Sequence, residues 1–355
     1  MRVGIERASL HVEGVGDLAD VFAAWCAGSA GRGTAATDFL GMMQTAIAPC
    51  LAGMASADRA ALGLLLASTK GQIVEQVRSM REGRPDAPTL ASTARELAAR
   101  CGMGGPVWVV STACSSGIAG LIDAVIALRA GEFQRLLVTA GDLAESFVRD
   151  GFAALKAHSP TGVCRPFDRA RDGLMLGSAA AACIVAPLGP ASLCEILGFG
   201  VSNDAVHMTA PDREGRGLAR AMEGALAMAR LAPQDVEVVI AHGTATRYND
   251  AMEAVAIEKV FLAQGARPLI TAVKGVIGHS LGGSGLVEAL LGSEILRRGH
   301  VPGVVGLREP ERSDVGLLCR TKAVRVRRLM KVASGFGGVN AAIILGATSW
   351  ESRDD

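Results

Sequence analysis

Runs rich in Val, Ile and Leu recur along the chain as ALGLLLAS, VWVVST, RLLVTAGD, AACIVAP, VEVVIAHG, RPLITAV and NAAIILG, with Ala-rich stretches between them. Each run is apolar at almost every position instead of every second one, so the strands it predicts are covered on both faces. The intervening stretches carry apolar residues at helical spacing. The clearest are 117–130, where Leu121, Val125 and Leu128 share a face, 215–230, and 285–298. Strands alternating with helices predict a layered α/β architecture. Gly and Pro punctuate most element ends, and no low-complexity tract or long linker intervenes, so two halves pack as one unit with a soft seam near Pro187 to Pro190.

The halves carry a weak echo. GLIDAVIALRAG at 120–131 resembles GLVEALLGSEILRRG at 285–299, each following a strand and a small-residue turn. Chance likeness of two Ala/Leu-rich helices and an ancient duplication both account for it. Under duplication, Cys114 and His279 occupy corresponding strand-to-helix turns, and a pseudo-twofold axis brings them together.

The 355 residues suffice for one large domain or two fused halves, and half of them are hydrophobic. Charged residues are spread throughout, and no apolar run reaches the roughly 18 residues of a membrane span. The N-terminus lacks the order of a signal peptide, so a cytoplasmic location is expected. With 36 basic and 35 acidic residues, the net charge of +1 gives no general attraction to nucleic acid or anionic membrane. The local exception, KAVRVRRLMK at 322–331, alternates with period two and reads either as a solvated strand face or as a basic rim for an acidic carrier. None of the eight cysteines forms a C-x-x-C pair, so neither a disulfide framework nor a structural metal is expected.

Four segments carry candidate chemistry. In VVSTACSSGIAGLIDAV, Cys114 follows a strand and opens a helix, where free backbone N–H groups and the helix dipole are expected to lower its thiol pKa. Taken alone, a cysteine in so apolar a setting is more often buried packing. In VVIAHGTATRYNDAMEA, His242 leaves a buried strand at the kind of turn where α/β sheets bind ligands. Asp250 and Glu253 follow three apart, either satisfying the next helix's N-terminus or holding a cation. In ITAVKGVIGHSLGGSG, Lys274 disfavours an imidazolium nearby and so keeps His279 neutral. This glycine-rich turn matches no phosphate-binding fingerprint. In ASGFGGVNAAIIL, glycines flank Phe336, whose amide is placed to donate to an oxyanion, or the segment is a tight turn into a last strand. One thiol and two neutral histidines on strand-end turns suit acyl-thioester chemistry.

These residues resemble the β-ketoacyl-acyl-carrier-protein synthase family, the condensing enzymes of the thiolase-like superfamily. The resemblance runs from about residue 60 to 346 through STACSSG, RPFDRARDGLMLG, SNDAVHMTAP, AHGTATRYND, KGVIGHSLGGSG and SGFGGVNA, in that order. It implies a thiolase-like fold of two pseudo-repeated halves in an αβαβα stack, residues 1–188 bearing the nucleophile and 189–355 the histidines. It implies Cys114 as the acylated nucleophile, His242 and His279 as the decarboxylation pair, and Lys274 as the group setting the charge around His279. The N–H groups of Cys114 and Phe336 become the oxyanion hole, the Phe336 ring a gate, Asp250 and Glu253 supporting residues, and Thr209 and Thr246 contacts for pantetheine. His207 takes a structural role, and His11, His158 and His300 match no catalytic position.

The implied reaction is a decarboxylative Claisen condensation of an acyl thioester with malonyl-acyl-carrier protein, in fatty-acid or type II polyketide or polyene synthesis. Acyl carrier protein is the implied partner, substrates ride on its phosphopantetheine with no further cofactor or metal, and a homodimer or a heterodimer with a ketosynthase-like subunit is implied. A chain-length-factor-like partner subunit and a non-decarboxylating acyltransferase are the alternatives. Two departures stand out. Ser178 occupies a position where the family carries glutamate, which is expected to disturb the polar network behind the lysine. The region before ALGLLLASTKG is short, which is expected to trim lid or dimer-contact elements, and both departures point to specialised metabolism.

Overall fold

The computed structural model describes residues 1–30 and 38–348; the last residues of the expected second half, 349–355, lie outside them. Among the described residues, ten strands build the main sheet. The first five are β1 (Val3–Val12), β2 (Gly63–Ala67), β3 (Val107–Val110), β4 (Leu136–Asp142) and β5 (Ala179–Pro187). The second five are β6 (Cys194–Asn203), β7 (Val238–Ile240), β8 (Leu269–Thr271), β9 (Arg328–Ser334) and β10 (Val339–Gly346). A two-residue strand, Gly16–Asp17, pairs with β1.

The order across the sheet is β3-β2-β4-β5-β1-β6-β10-β9-β7-β8. Read inward from either edge, each set of five runs third, second, fourth, fifth, first. Pairing senses repeat too: β2 is parallel to β3 and β4 as β7 is to β8 and β9, and the remaining ladders are antiparallel. The sets join where Val3–Ile5 pairs antiparallel with Cys194–Ile196. The echo in the sequence thus has a topological counterpart.

Helices fill five layers with the two sheet halves. Helix α1 (Phe39–Leu51) covers β1, β4 and β5, while α3 (Arg216–Ala229) and α4 (Arg247–Val260) cover the outer face of the second half. Between the halves lie α2 (Ser116–Arg129), which follows β3, and α5 (Ser284–Arg298), which follows β8. Every residue of α5 from Ser284 to Leu296 is buried, and each Leu, Ile or Val there contributes about 1.5–3 kcal/mol over exposure. Glycine lets the two helices meet at their first turns. A Cβ on Gly117 would lie 2.6 Å from the Leu286 nitrogen, and one on Gly285 would lie 2.8 Å from the Ile118 nitrogen. This reciprocal contact sets the turns carrying Cys114 and His279 side by side.

All seven predicted runs are strands, and the three predicted helices are α2, α3 and α5. Strands β1 and β6 were not predicted, although both lie at the centre of the sheet. The expected single strand at 322–331 is corrected: Lys322–Ala323 pairs with His300–Val301, the chain then breaks, and β9 starts at Arg328. Arg327 and Arg328 pair with Glu237 and Asp235, and Lys331 is fully buried. No helix among the described residues is long and apolar enough to cross a membrane.

Candidate active site

Cys114 sits in the turn between β3 and α2, and its own serines hold that turn. Ser115 Oγ donates to the Thr112 carbonyl at 2.7 Å, Ser116 Oγ to the Ala113 carbonyl at 2.6 Å, and the Thr112 N–H to Ser116 Oγ at 2.9 Å. Ala113 is held at φ 52°, a left-handed conformation that costs a non-glycine residue about 1–3 kcal/mol. The expectation of a lowered thiol pKa is corrected. Burial pushes the Cys114 thiol up to about 11, and the Lys274 charge and the Phe336 N–H only partly oppose it. Helix-start geometry favours a thiolate, but a sulfur this deeply withdrawn from water loses more in solvation than the dipole returns.

His242 follows β7, and α4 holds its turn from below. Glu253 accepts the N–H groups of His242 (2.5 Å) and Gly243 (2.9 Å), and Asp250 accepts those of Thr244 (3.0 Å), Ala245 (3.1 Å) and Phe167 (2.8 Å). Both carboxylates are therefore committed to backbone donors of the turn. Burial raises both acids, Glu253 to about 7.

His279 lies after β8. Its N–H donates to the Met175 carbonyl at 2.6 Å, its carbonyl accepts from Gly177 at 3.2 Å, and its Nδ1 meets Ser284 Oγ at 2.9 Å. Asp142 at the end of β4 steadies the same turn through the Gly282 N–H at 2.8 Å. The two imidazoles lie edge to face, centroids 5.2 Å apart. Burial, first, and the Lys274 charge, second, hold both well below the ordinary histidine pKa, so both are neutral at neutral pH.

The expected action of Lys274 on His279 is joined by a direct contact with His242: Nζ donates to the His242 carbonyl at 2.5 Å and lies 3.3 Å from its Nδ1. An ammonium facing Nδ1 leaves the His242 proton on Nε2. Behind the lysine stands Glu288 of α5, whose Oε1 is 2.6 Å from Lys274 Nζ and whose Oε2 is 2.6 Å from Lys331 Nζ. Sequence reasoning missed both Glu288 and Lys331. The signal available was a charge inside an element apolar all round, which demands a buried partner. The concern over Ser178 is corrected accordingly: its hydroxyl accepts the Ala144 N–H at 3.0 Å, and Glu288 completes the network behind the lysine.

Cys114, His242 and His279 open onto one cavity of about 580 Å³. Phe336 stands at its wall, 37 % exposed and stacked on Phe152 with centroids 5.7 Å apart, and its N–H is among the groups that favour a thiolate at Cys114. Thr209 and Thr246 line the cavity, as does Thr244, which sequence reasoning passed over. Thr244 and Thr246 hydroxyls are 2.9 Å apart. His207 Nδ1 accepts the N–H groups of Thr209 and Ala210, both at 3.1 Å, and so shapes that loop.

The repeated half and the layers are those of the thiolase-like ketosynthase fold. The chain belongs to the β-ketoacyl synthase family: residues 41–191 match its N-terminal domain and residues 193–308 its C-terminal domain. It is 34% identical over 277 residues to a putative polyketide beta-ketoacyl synthase 1 of Streptomyces cyaneus, covering 74% of this chain and 66% of that protein. It is 31% identical over 255 residues to 3-oxoacyl-[acyl-carrier-protein] synthase 2 of Coxiella burnetii, covering 68% and 62%. The matched region thus spans less than two thirds of the length of these curated relatives. Among solved structures, the ishigamide ketosynthase/chain length factor aligns over 98% of this chain and 99% of that one, with a TM-score of 0.84 and 26% identity. A β-ketoacyl synthase from Burkholderia phymatum aligns over the same shares with a TM-score of 0.86 and 24% identity.

Proposed function

We propose that this chain is a decarboxylating condensing enzyme acting on acyl groups borne by acyl carrier protein, in fatty-acid or type II polyketide synthesis. The observation that carries the reading is the shared cavity: one thiol and two neutral imidazoles face a single space, with the Gly335–Phe336 backbone beside Cys114. In the first half-reaction Cys114 Sγ attacks the acyl thioester carbonyl. The Cys114 and Phe336 N–H groups receive the oxyanion, the carrier thiolate leaves, and it takes up the thiol proton. In the second, malonyl thioester binds with its carbonyl oxygen against the Nε2–H groups of His242 and His279. Loss of carbon dioxide leaves an enolate that these donors stabilise. Its carbon attacks the acyl-Cys114 carbonyl, and Cys114 departs as thiolate to be reprotonated by solvent.

Neutral imidazoles suit this role, because each donates one hydrogen bond without protonating the enolate carbon. Thr209, Thr244 and Thr246 are positioned to hydrogen-bond the pantetheine arm, and Phe336 to move aside as substrates exchange. The substrates bring their own phosphopantetheine, and the reaction needs no other cofactor. Residues 1–188 and 189–355 serve as the nucleophile-bearing and histidine-bearing halves.

The test is carbon dioxide release from malonyl-carrier protein. Cys114→Ala should abolish condensation yet retain slow decarboxylation, whereas His279→Ala should lose both; a Cys114→Ala protein that still condenses refutes the reading. A heterodimer is the second arrangement, favoured by solved structures titled as ketosynthases with a chain length factor. It predicts that the chain alone does not condense and that a second subunit restores activity.

A further inference from the structure

Glu288 lies between two buried ammonium groups. Lys274, from the turn after β8, holds Oε1, and Lys331, from the middle of β9, holds Oε2, each at 2.6 Å. Lys331 has no exposure, and its ammonium also donates to the Val332 carbonyl and to the Ala241 carbonyl at 3.2 Å. Those acceptors favour its charged form, although burial pulls its pKa below the ordinary lysine value.

The charged and titratable groups facing this cluster come from every element around it. Glu288 projects from α5, Glu253 from α4, Lys274 and His279 from the segment after β8, and His242 from the turn after β7. If Lys274 alone faced Glu288, the pair would cancel, and the histidines would feel little charge. With Lys331 on the second oxygen, one carboxylate is shared between two cations, and positive charge remains directed at the imidazoles. Both lysines disfavour a proton on His279 and on His242.

We propose that Lys331 is a positioning residue that engages the second oxygen of Glu288, leaving the charge of Lys274 to bear on His242 and His279 and so keeping both imidazoles uncharged donors. This rests on the condensing reading for its purpose, but its test does not need turnover. Lys331→Met removes the charge and keeps the length and apolar stem. Imidazole titration followed by NMR on the whole protein, with His242→Gln and His279→Gln for assignment, should show the pKa of both rings rising by about one unit in Lys331→Met. The acid limb of malonyl-carrier protein decarboxylation should move up with them, at little change in KM. Imidazoles that titrate as in the wild type overturn the proposal. Should Lys331→Met fail to fold, the lysine side-chain nitrogen signals of the wild-type protein decide. Two solvent-protected ammonium signals at neutral pH support the proposal, and a neutral amine at either buried lysine overturns it. If the wild type proves unable to decarboxylate while its imidazoles shift as described, the condensing reading fails and the role of Lys331 stands.

Discussion

The resting state of Cys114 offers a quantitative test. With the thiol pushed up to about 11 from an ordinary value of 9.0, about one molecule in a thousand carries a thiolate at pH 8, against about one in ten for the unshifted thiol. Alkylation by iodoacetamide at Cys114 should therefore be suppressed about a hundredfold by ionisation alone. It should keep rising about tenfold per pH unit to near pH 10. Access and ionisation separate cleanly, because burial scales the rate at all pH values whereas the pKa sets where the curve bends. Mass spectrometry of the Cys114 peptide, with the exposed Cys319 as internal reference, supplies the profile. Lys274→Met removes the strongest influence opposing burial and should move the bend higher still. A Cys114 profile that levels off below about pH 9 refutes the reasoning that burial outweighs the helix start.

Glu288→Ala strands two buried ammonium groups and should lower stability by about 3–5 kcal/mol in urea unfolding at pH 7. Lys331, already pulled below the ordinary lysine value by burial, would lose the carboxylate that opposes that pull, so the loss should shrink as pH rises toward 10. Glu253, raised to about 7 when folded, contributes stability that is full below pH 4.5 and fades as pH climbs through 7; Glu253→Gln should flatten that part of the stability profile. Gly177→Ala would place a Cβ 2.0 Å from the Ile277 carbonyl oxygen, in the segment that fixes the His279 backbone. The backbone must shift at a cost of about 1–3 kcal/mol, and decarboxylation should fall far more than unfolding free energy does.

Legibility followed burial and local chemistry. Strands such as LLVTAGD and AACIVAP read directly, because a strand covered on both faces is apolar throughout. Strand β1 escaped because Glu6 and Arg7 interrupt its apolar run, at the bulge where its register with β5 shifts. Strand β6 escaped because Gly198 and Gly200 thin the pattern where α3 packs closely. Cys114, His242 and His279 were legible as chemistry-bearing residues on strand-end turns, and Lys274 as a charge beside them. The network behind the lysine was not. Glu288 and Lys331 stand in an apolar helix and an apolar strand, far apart in sequence, and only the fold shows that they meet at one carboxylate.

The central claim is that Cys114 carries the acyl group. Intact and peptide mass spectrometry after incubation with a set of acyl-carrier proteins tests it most directly. One acyl mass should appear on the peptide bearing Cys114 and none on Cys114→Ala; acylation that persists in that variant, or that maps to another residue, contradicts the account.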